Sequence, residues 1–552
     1  MSVAKRLGTL GCVTLLATTA ACGSSASTGV RGAPGVSMTM GTLEPYASLD
    51  PAGAYDDGSW MVFYNVYQGL MMYQPGSNTP TPDAASACAF VGSGFTTYHC
   101  TLRPNMTFSN GDPLDAAAVK FSFDRVVKIG TEKNPDGSPA DNGTAVSTLL
   151  STMKSVEADG TSDVTFHLNT PDATFPDRLA SGVGEIVDPK AYSGTALLNG
   201  TGLVGSGVYK LDSVDWKTDA KGNKTPAGVH LSLNPSYQGG ASKPQNTSVT
   251  LNYYDTPQQV MDALTKGAID LNVTQDLLPS DVLNLQNTQT LGKGLQLIQG
   301  DGTTTRMMVL NTKYAPFDKL AVRQAVAELV DRDALARDVY QRTVTPLYSV
   351  IPQGISDQSS SFADKYGAQP KSADEVRSQL QAKGISLPVS FPLTYAANSV
   401  AAKAEAEQLQ KTLEASGLFK LSLVSVPNVG ALNTLWSSGK LQASMTFWHP
   451  DYADPDDYVS PFMGDPGTFG NHYNSPEIAN TLTPETLRQP DRADQSAVDT
   501  FKKIQQVFAN DAPLIPLWQN KLYIATQANV TGAQLTLDAS STFRFWLIGK
   551  TS

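Results

Sequence analysis

At 552 residues the chain is too long to pack around one hydrophobic core, and its length corresponds to roughly three or four domains. Hydrophobic residues make up 41% and charged residues 16%, a globular balance, while 45 Gly and 34 Pro call for many turns. A net charge of −11 separates the chain from nucleic-acid binders, which rely on basic patches, and suits cationic ligands.

The N-terminus reads as an export signal. Lys5 and Arg6 precede an apolar run, Leu7 to Ala21, that is too short to span a bilayer. The run ends in Thr-Thr-Ala-Ala before Cys22, similar to a bacterial lipobox whose cysteine is lipidated; Thr19 stands where Leu is usual. Residues 1–21 are expected to be removed, leaving −13 because Lys5 and Arg6 go and no acid does. Residues 22–36, rich in Gly, Ser, Ala and Pro, read as a flexible tether at the membrane surface. With Cys12 and Cys22 accounted for, Cys88 and Cys100 remain, flanking Gly92 and Gly94. In an oxidising compartment this spacing suggests a disulfide across a hairpin; a metal pair is the alternative, with no third ligand nearby to complete it.

Along the mature chain, Val36 to Leu43 alternates as an edge strand, and Trp60 to Tyr73 has helical recurrence at Val62, Val66 and Leu70. Thr97 to Arg103 reads as a strand, and Asp115 caps a helix over Ala116 to Val127. Lys128 to Gly143 reads as a loop. Val164, Phe166 and Leu168 alternate as a strand, with His167 on its outer face. Strands follow near Gly207 to Leu211, His230 to Leu233 and Val249 to Tyr254, and Gly267 closes a helix over Pro257 to Lys266. Met307 to Leu310 is strand-like. Val322, Ala325, Val326, Leu329 and Val330 form one apolar helical stripe, and Asp331 caps a second helix. From Leu387 strand and helix alternate: Val389 to Tyr395, a helix capped by Ser399 and ended by Gly417, Leu421 to Val426, Ala431 to Ser437, then Leu441 to Phe447. That alternation predicts βαβ units and a parallel sheet. A helix over Ala497 to Phe508 precedes strands at Ile515 to Trp518 and Leu522 to Thr526.

The stretch Trp448 to Phe462 sets Asp451, Asp454, Asp456 and Asp457 among Trp448, Tyr452, Tyr458 and Phe462. Ring faces and carboxylates both attract positive charge. The loop also leaves the carboxyl end of a predicted strand, where open α/β sheets bind ligands. A solvated acidic turn is the alternative. The five histidines form no zinc-hydrolase pair, and there is no nucleophile elbow, P-loop or dinucleotide fingerprint. Acid/base work on a sugar by Asp454, Asp456 and Asp457 is weighed as a remote hydrolase reading. No metal and no cofactor is expected; His449 with Asp451 makes a poor chelate because Pro450 separates them.

Several stretches in order resemble a known family: Leu49-Asp50-Pro51, Tyr67 to Leu70, Leu102 to Arg125, Gly205 to Tyr209, Asn234 to Tyr237, Ala263 to Leu271, Tyr314 to Leu335, Trp448 to Tyr458 and Ala512 to Pro516. Together they are similar to the solute-binding proteins of ABC importers, the peptide/nickel-binding group (family 5) that includes the dipeptide- and oligopeptide-binding proteins. Asn110 departs from the Asp usual in its turn. The resemblance implies an α/β, two-lobe periplasmic-binding-protein fold (type II, cluster C) with an extra α/β domain inserted in the first lobe. The expected division is lobe I at 37–76, 201–302 and 516–552, inserted domain at 77–200, and lobe II at 303–515. Hinge closure between lobes would enclose ligand.

By the same resemblance, Asp451, three residues after Trp448, pairs with a peptide α-ammonium, with Trp448, Tyr452 and Tyr458 shaping the pocket. Met445 stands where oligopeptide binders of the group can carry an Arg for the peptide carboxylate, and Arg306 is the substitute considered. The expected protein is a monomeric, non-enzymatic binder of peptides or a small cationic solute, lipid-anchored through Cys22 on the outer face of the cell membrane and serving ABC permease subunits. A sensor without transport, and a binder of nickel chelate or sugar oligomer, are the alternatives.

Overall fold

The computed structural model describes residues 35–131, 143–218, 222–273, 276–287, 294–399 and 401–551. The export signal, Cys22 and most of the tether lie outside them, as does most of the loop expected at 128–143.

One 11-stranded sheet organises these residues. Its axis is a pair of long antiparallel strands, Leu295–Leu310 and Leu514–Gln527. On one flank lie Ala443–Trp448, Val389–Ala396 and Phe419–Val426, the last two parallel to each other and the first parallel to Val389–Ala396. This is the expected βαβ region. On the other flank Leu271–Asn272, Ser37–Thr42, Ser248–Tyr253, Lys224–Leu233 and Tyr209–Thr218 follow in order. Ser37–Thr42 is not the edge strand its weak alternation predicts. It pairs in parallel on both sides, with Ser248–Tyr253 and Leu271–Asn272, and four of its six residues are accordingly buried.

The two long strands cross between the halves of the sheet at a bulge. Pairing runs regularly from Leu295↔Gln527 to Asp301↔Lys521, then resumes with a shifted register at Thr305↔Gln519. At the gap Gly302 lies so close to Asn520 that an added Cβ would stand 2.0 Å from Oδ1 and would have to displace the Asn520 amide from its place at the bulge. Asn520 Oδ1 accepts from the Thr304 amide at 3.1 Å, and Gln519 Nε2 donates to the Gly302 carbonyl at 3.0 Å. The strands expected at 515–518 and 522–526 are thus one strand, continuous through a polar bulge whose side chains satisfy the backbone groups left unpaired.

A separate antiparallel sheet joins Ala85–Phe90, Thr97–Leu102, Asp163–Leu168 and Met153–Asp159. Cys88 faces Cys100 across its first hairpin, and the two are disulfide-bonded. Val164, Phe166 and Leu168 point inward while His167 lies outside, as the period-2 pattern requires. The helix Ala116–Thr131 covers this sheet, its first turn capped by Asp115, whose Oδ1 accepts from the Ala118 amide at 3.0 Å.

The helix predicted from Trp60 starts earlier and ends earlier. Asp56 caps it at the Ser59 amide, and it runs Asp57–Val66 before Tyr67 turns extended and Met71–Tyr73 forms a strand. The helix Ala402–Ala415 takes no cap from the Ser399 side chain; Ala401 precedes it at φ +57°, and Gly417 at φ +66° follows its end.

Candidate functional site

Trp448 is the last residue of the strand Ala443–Trp448, paired with Thr305 on the long crossing strand. Pro450 breaks the strand, and the chain turns into a short 3-10 helix, Pro455–Tyr458, whose cap is Asp454. Asp454 Oδ1 accepts from the Asp456 amide at 2.9 Å, and both Asp454 oxygens take the Arg492 guanidinium at 2.6 and 3.1 Å. Asp457 is wholly buried, and its Oδ2 accepts from the Trp448 indole at 3.2 Å and from the Asp451 amide at 2.8 Å. Burial first, and the Asp451 carboxylate second, push its carboxyl well above the usual range. Asp456 is raised to about 6 by burial, offset by Arg178, whose guanidinium lies 4.0 Å away. These three aspartates build the loop from inside. None lines the cleft, and that geometry gives no support to acid/base work by them.

Trp448 and Asp451 do line a cavity of about 530 Å³ between the two flanks of the large sheet. Phe462 and Phe469 hold the Trp448 ring edge-on at 5.6 and 5.9 Å. Asp451 is half-buried, and its Oδ2 accepts from the Tyr55 hydroxyl at 2.8 Å. Its carboxyl is raised to about 7, chiefly by burial; Asp57 adds to the rise, while the Tyr55 hydrogen bond and Arg178 oppose it. No lysine or arginine among the described residues forms an ion pair with it.

Tyr452 and Tyr458 sit elsewhere. Tyr452 is buried with its ring 5.1 Å from the Arg178 guanidinium, and Tyr458 is buried with its hydroxyl donating to the Thr303 carbonyl at 2.8 Å. Both brace the loop from behind. Arg306 is also buried, its Nε 2.8 Å from Glu405 Oε2, and it does not line the cavity.

The opposite wall is made by Glu44, Tyr55, Asp56, Asp57 and Trp60, none of them expected at the site from the sequence. Glu44 follows the carboxyl end of Ser37–Thr42, so the rule that singled out Trp448 applies to it equally. Glu44 is open to solvent yet crowded by protein, as a cleft wall is, and its carboxyl is raised by that burial and by Asp57 and Asp56, with His449 opposing. His449 Nδ1 lies 2.9 Å from Thr304 Oγ1, and Nε2 lies 3.5 Å from Asp57 Oδ1. Among the described residues no group of three or more His, Cys, Asp or Glu is placed to hold a metal ion. Nor is any of their helices long and apolar enough to cross a membrane.

The profile of the bacterial extracellular solute-binding proteins, family 5 (middle region), matches residues 79–470. The chain belongs to this family. Among family 5 relatives, it is 24% identical over 510 residues to the probable D,D-dipeptide-binding periplasmic protein DdpA of Escherichia coli K12, covering 90% of each chain. It is also 24% identical over 509 residues to the glutathione-binding protein GsiB of Salmonella typhi, covering 90% of this chain and 92% of that one. In fold it is similar to the Helicobacter pylori periplasmic binding protein DppA in complex with the peptide STSA, with a TM-score of 0.75 at 19% identity over 94% of this chain and 98% of that one. It is equally similar to Brucella suis NikA in complex with Fe(III)-EDTA, with a TM-score of 0.76 at 19% identity over 93% and 100%. The fold is therefore the two-lobe solute-binding one.

Proposed function

We propose that this family 5 protein captures a peptide, or a similar cationic solute, in the cleft between its lobes and delivers it to the permease of an ABC importer. The carrying observation is Asp451: a carboxylate on the cleft wall whose hydrogen-bond partner is a hydroxyl, in a cavity whose lining holds no lysine or arginine. An enclosed ammonium needs such a partner. Trp448 provides an adjoining ring face, held rigid from behind. The peptide-binding names of relatives such as DdpA and GsiB agree with this chemistry.

In this reading the protein is a monomeric binder and not an enzyme. It is held at the outer face of the cell membrane through lipid on Cys22, with lobes meeting near 302/303 and 515/516 and the domain 77–200 inserted in the first. Native mass spectrometry of the protein purified from its own host tests it. A co-purifying peptide series that disappears in Asp451→Asn is the expected result. A single non-peptide mass, or the same bound species in Asp451→Asn, overturns the peptide assignment.

A further inference from the structure

Resting on that reading, we infer that the cleft selects an organic dication: a solute whose second positive charge is taken by Asp57 with Glu44, and which places no carboxylate inside the cavity. Four carboxylates line the cavity, Glu44, Asp56, Asp57 and Asp451, together with His449, and no lysine or arginine does. A zwitterionic dipeptide needs one anion and one cation on the wall. This wall offers four carboxylates and, as its one basic side chain, His449.

The carboxylates have different duties. Asp56 is occupied as a helix cap at the Ser59 amide. Asp451 holds the Tyr55 hydroxyl and is the proposed ammonium partner. Asp57 and Glu44 are left. Neither is paired with a lysine or arginine among the described residues, and the basic side chain nearest Asp57 is His449, its Nε2 at 3.5 Å from Oδ1. Both also line a smaller cavity of about 90 Å³ that adjoins the first and continues past Trp60, Tyr64 and Phe543. The second cation therefore has both a carboxylate pair and a recess beside an aromatic face, a setting that favours an ammonium or guanidinium over a neutral side chain. A terminal carboxylate in the main cavity would share it with four carboxylates and meet no lysine or arginine, and would lose affinity accordingly.

The test uses the full chain and three probes in calorimetric titrations at pH 8: Ala-Ala, Ala-Ala-NH2 and Lys-Ala-NH2. Removing the carboxylate is expected to tighten binding by about tenfold, and adding the lysine side chain by about another tenfold. In Asp57→Asn the ratio between the two amides should collapse to below about threefold. Glu44→Gln, which alters no helix terminus, should reduce the same ratio in part. Ala-Ala binding as tightly as its amide, or a ratio that survives both substitutions, overturns the inference. If Ala-Ala binds best and Asp451→Asn abolishes it, the peptide reading stands and the dication falls. If none of the three gives saturable binding, both fall.

Discussion

The Tyr55 hydroxyl donates to Asp451 Oδ2 at 2.8 Å across the cleft, joining residues 396 positions apart in the chain. Tyr55 precedes the helix Asp57–Val66 on one wall, and Asp451 follows the strand Ala443–Trp448 on the other. A bond in this position would act as a latch between the two walls, and a bound ammonium would compete for the same oxygen. Tyr55→Phe keeps the ring and removes the latch. The unliganded protein should then sample the open state more, with the radius of gyration in small-angle scattering rising by about 1 Å toward the value expected of hinge opening. An unliganded scattering profile identical to wild type would show that the bond holds nothing closed.

The same carboxylate predicts a pH dependence. Asp451 is raised to about 7, against roughly 3.9 for an unfolded aspartate. Between those values the folded chain keeps a proton that the unfolded chain gives up, so the contribution of Asp451 to stability falls as pH rises from about 4 to 7. The groups acting on it are the Tyr55 hydroxyl and Arg178, which favour the anion, and Asp57 and buried Asp457, which oppose it. Asp451→Asn should therefore gain thermal stability relative to wild type between pH 5 and pH 8. Ammonium capture runs the other way, because only the anion pairs. The affinity of wild type for Ala-Ala-NH2 should rise by roughly tenfold from pH 5.5 to 7.5, with a shallower rise in Asp451→Asn. A flat wild-type profile would contradict the assignment.

Asp50 and Arg125 form a bidentate pair at 2.7 and 2.5 Å, both side chains essentially without solvent exposure. The Arg125 guanidinium also donates to the carbonyls of Ser193 and Ala196, and Asp50 caps the short turn at Ala52. The pair ties the segment before the helix Asp57–Val66 to the helix Ala116–Thr131. Arg125→Met would leave Asp50 buried without its countercharge, at a cost of about 3–5 kcal/mol in chemical denaturation. Binding of Ala-Ala-NH2 by the folded fraction should change less than about twofold, since neither residue lines the cleft. A loss of affinity without a loss of stability would place the pair in the binding apparatus instead.

That pair shows what was legible in the sequence. Asp50 and Arg125 stand in two of the stretches that carry the family resemblance, and their shared duty is structural, as is that of Tyr67, whose hydroxyl donates to the Leu49 carbonyl at 2.6 Å. Asn110, the residue that departs from the family turn, donates its amide to Asp188 at 2.8 Å, where an aspartate would meet like charge. That Trp448 and Asp451 lie at a cavity was readable because a strand end fixes where its next few residues go. Tyr452 and Tyr458 were not, because the direction of a side chain in an irregular loop depends on the turn that Asp454 caps. Glu44 was open to the same rule, since it follows the carboxyl end of Ser37–Thr42, whereas Tyr55 and Asp57 come to the cavity through the order of strands in the sheet, which no local pattern encodes. Gln519 and Asn520 look like a loop between two strands, whereas both are buried at the bulge, where the Gln519 amide donates to the Gly302 carbonyl and Asn520 Oδ1 accepts from the Thr304 amide.

Arg306 supplies the last test. Its side chain is 5% exposed and that of Glu405 fully buried; Glu405 also accepts from the Trp518 indole at 2.7 Å. A guanidinium held in this way on the crossing strand is committed to the fold. Arg306→Met should lower stability by about 3–5 kcal/mol through the orphaned Glu405 carboxylate, and Glu405→Gln should lower it less because a neutral amide can remain buried near the arginine. In both variants the ratio of affinities for Ala-Ala and Ala-Ala-NH2 should stay within about twofold of wild type. A role for Arg306 in holding a peptide carboxylate predicts the opposite: a shift of about tenfold or more, borne by the free-acid probe alone. That outcome would bring a cation back into the cleft and remove the charge argument for a dication along with it.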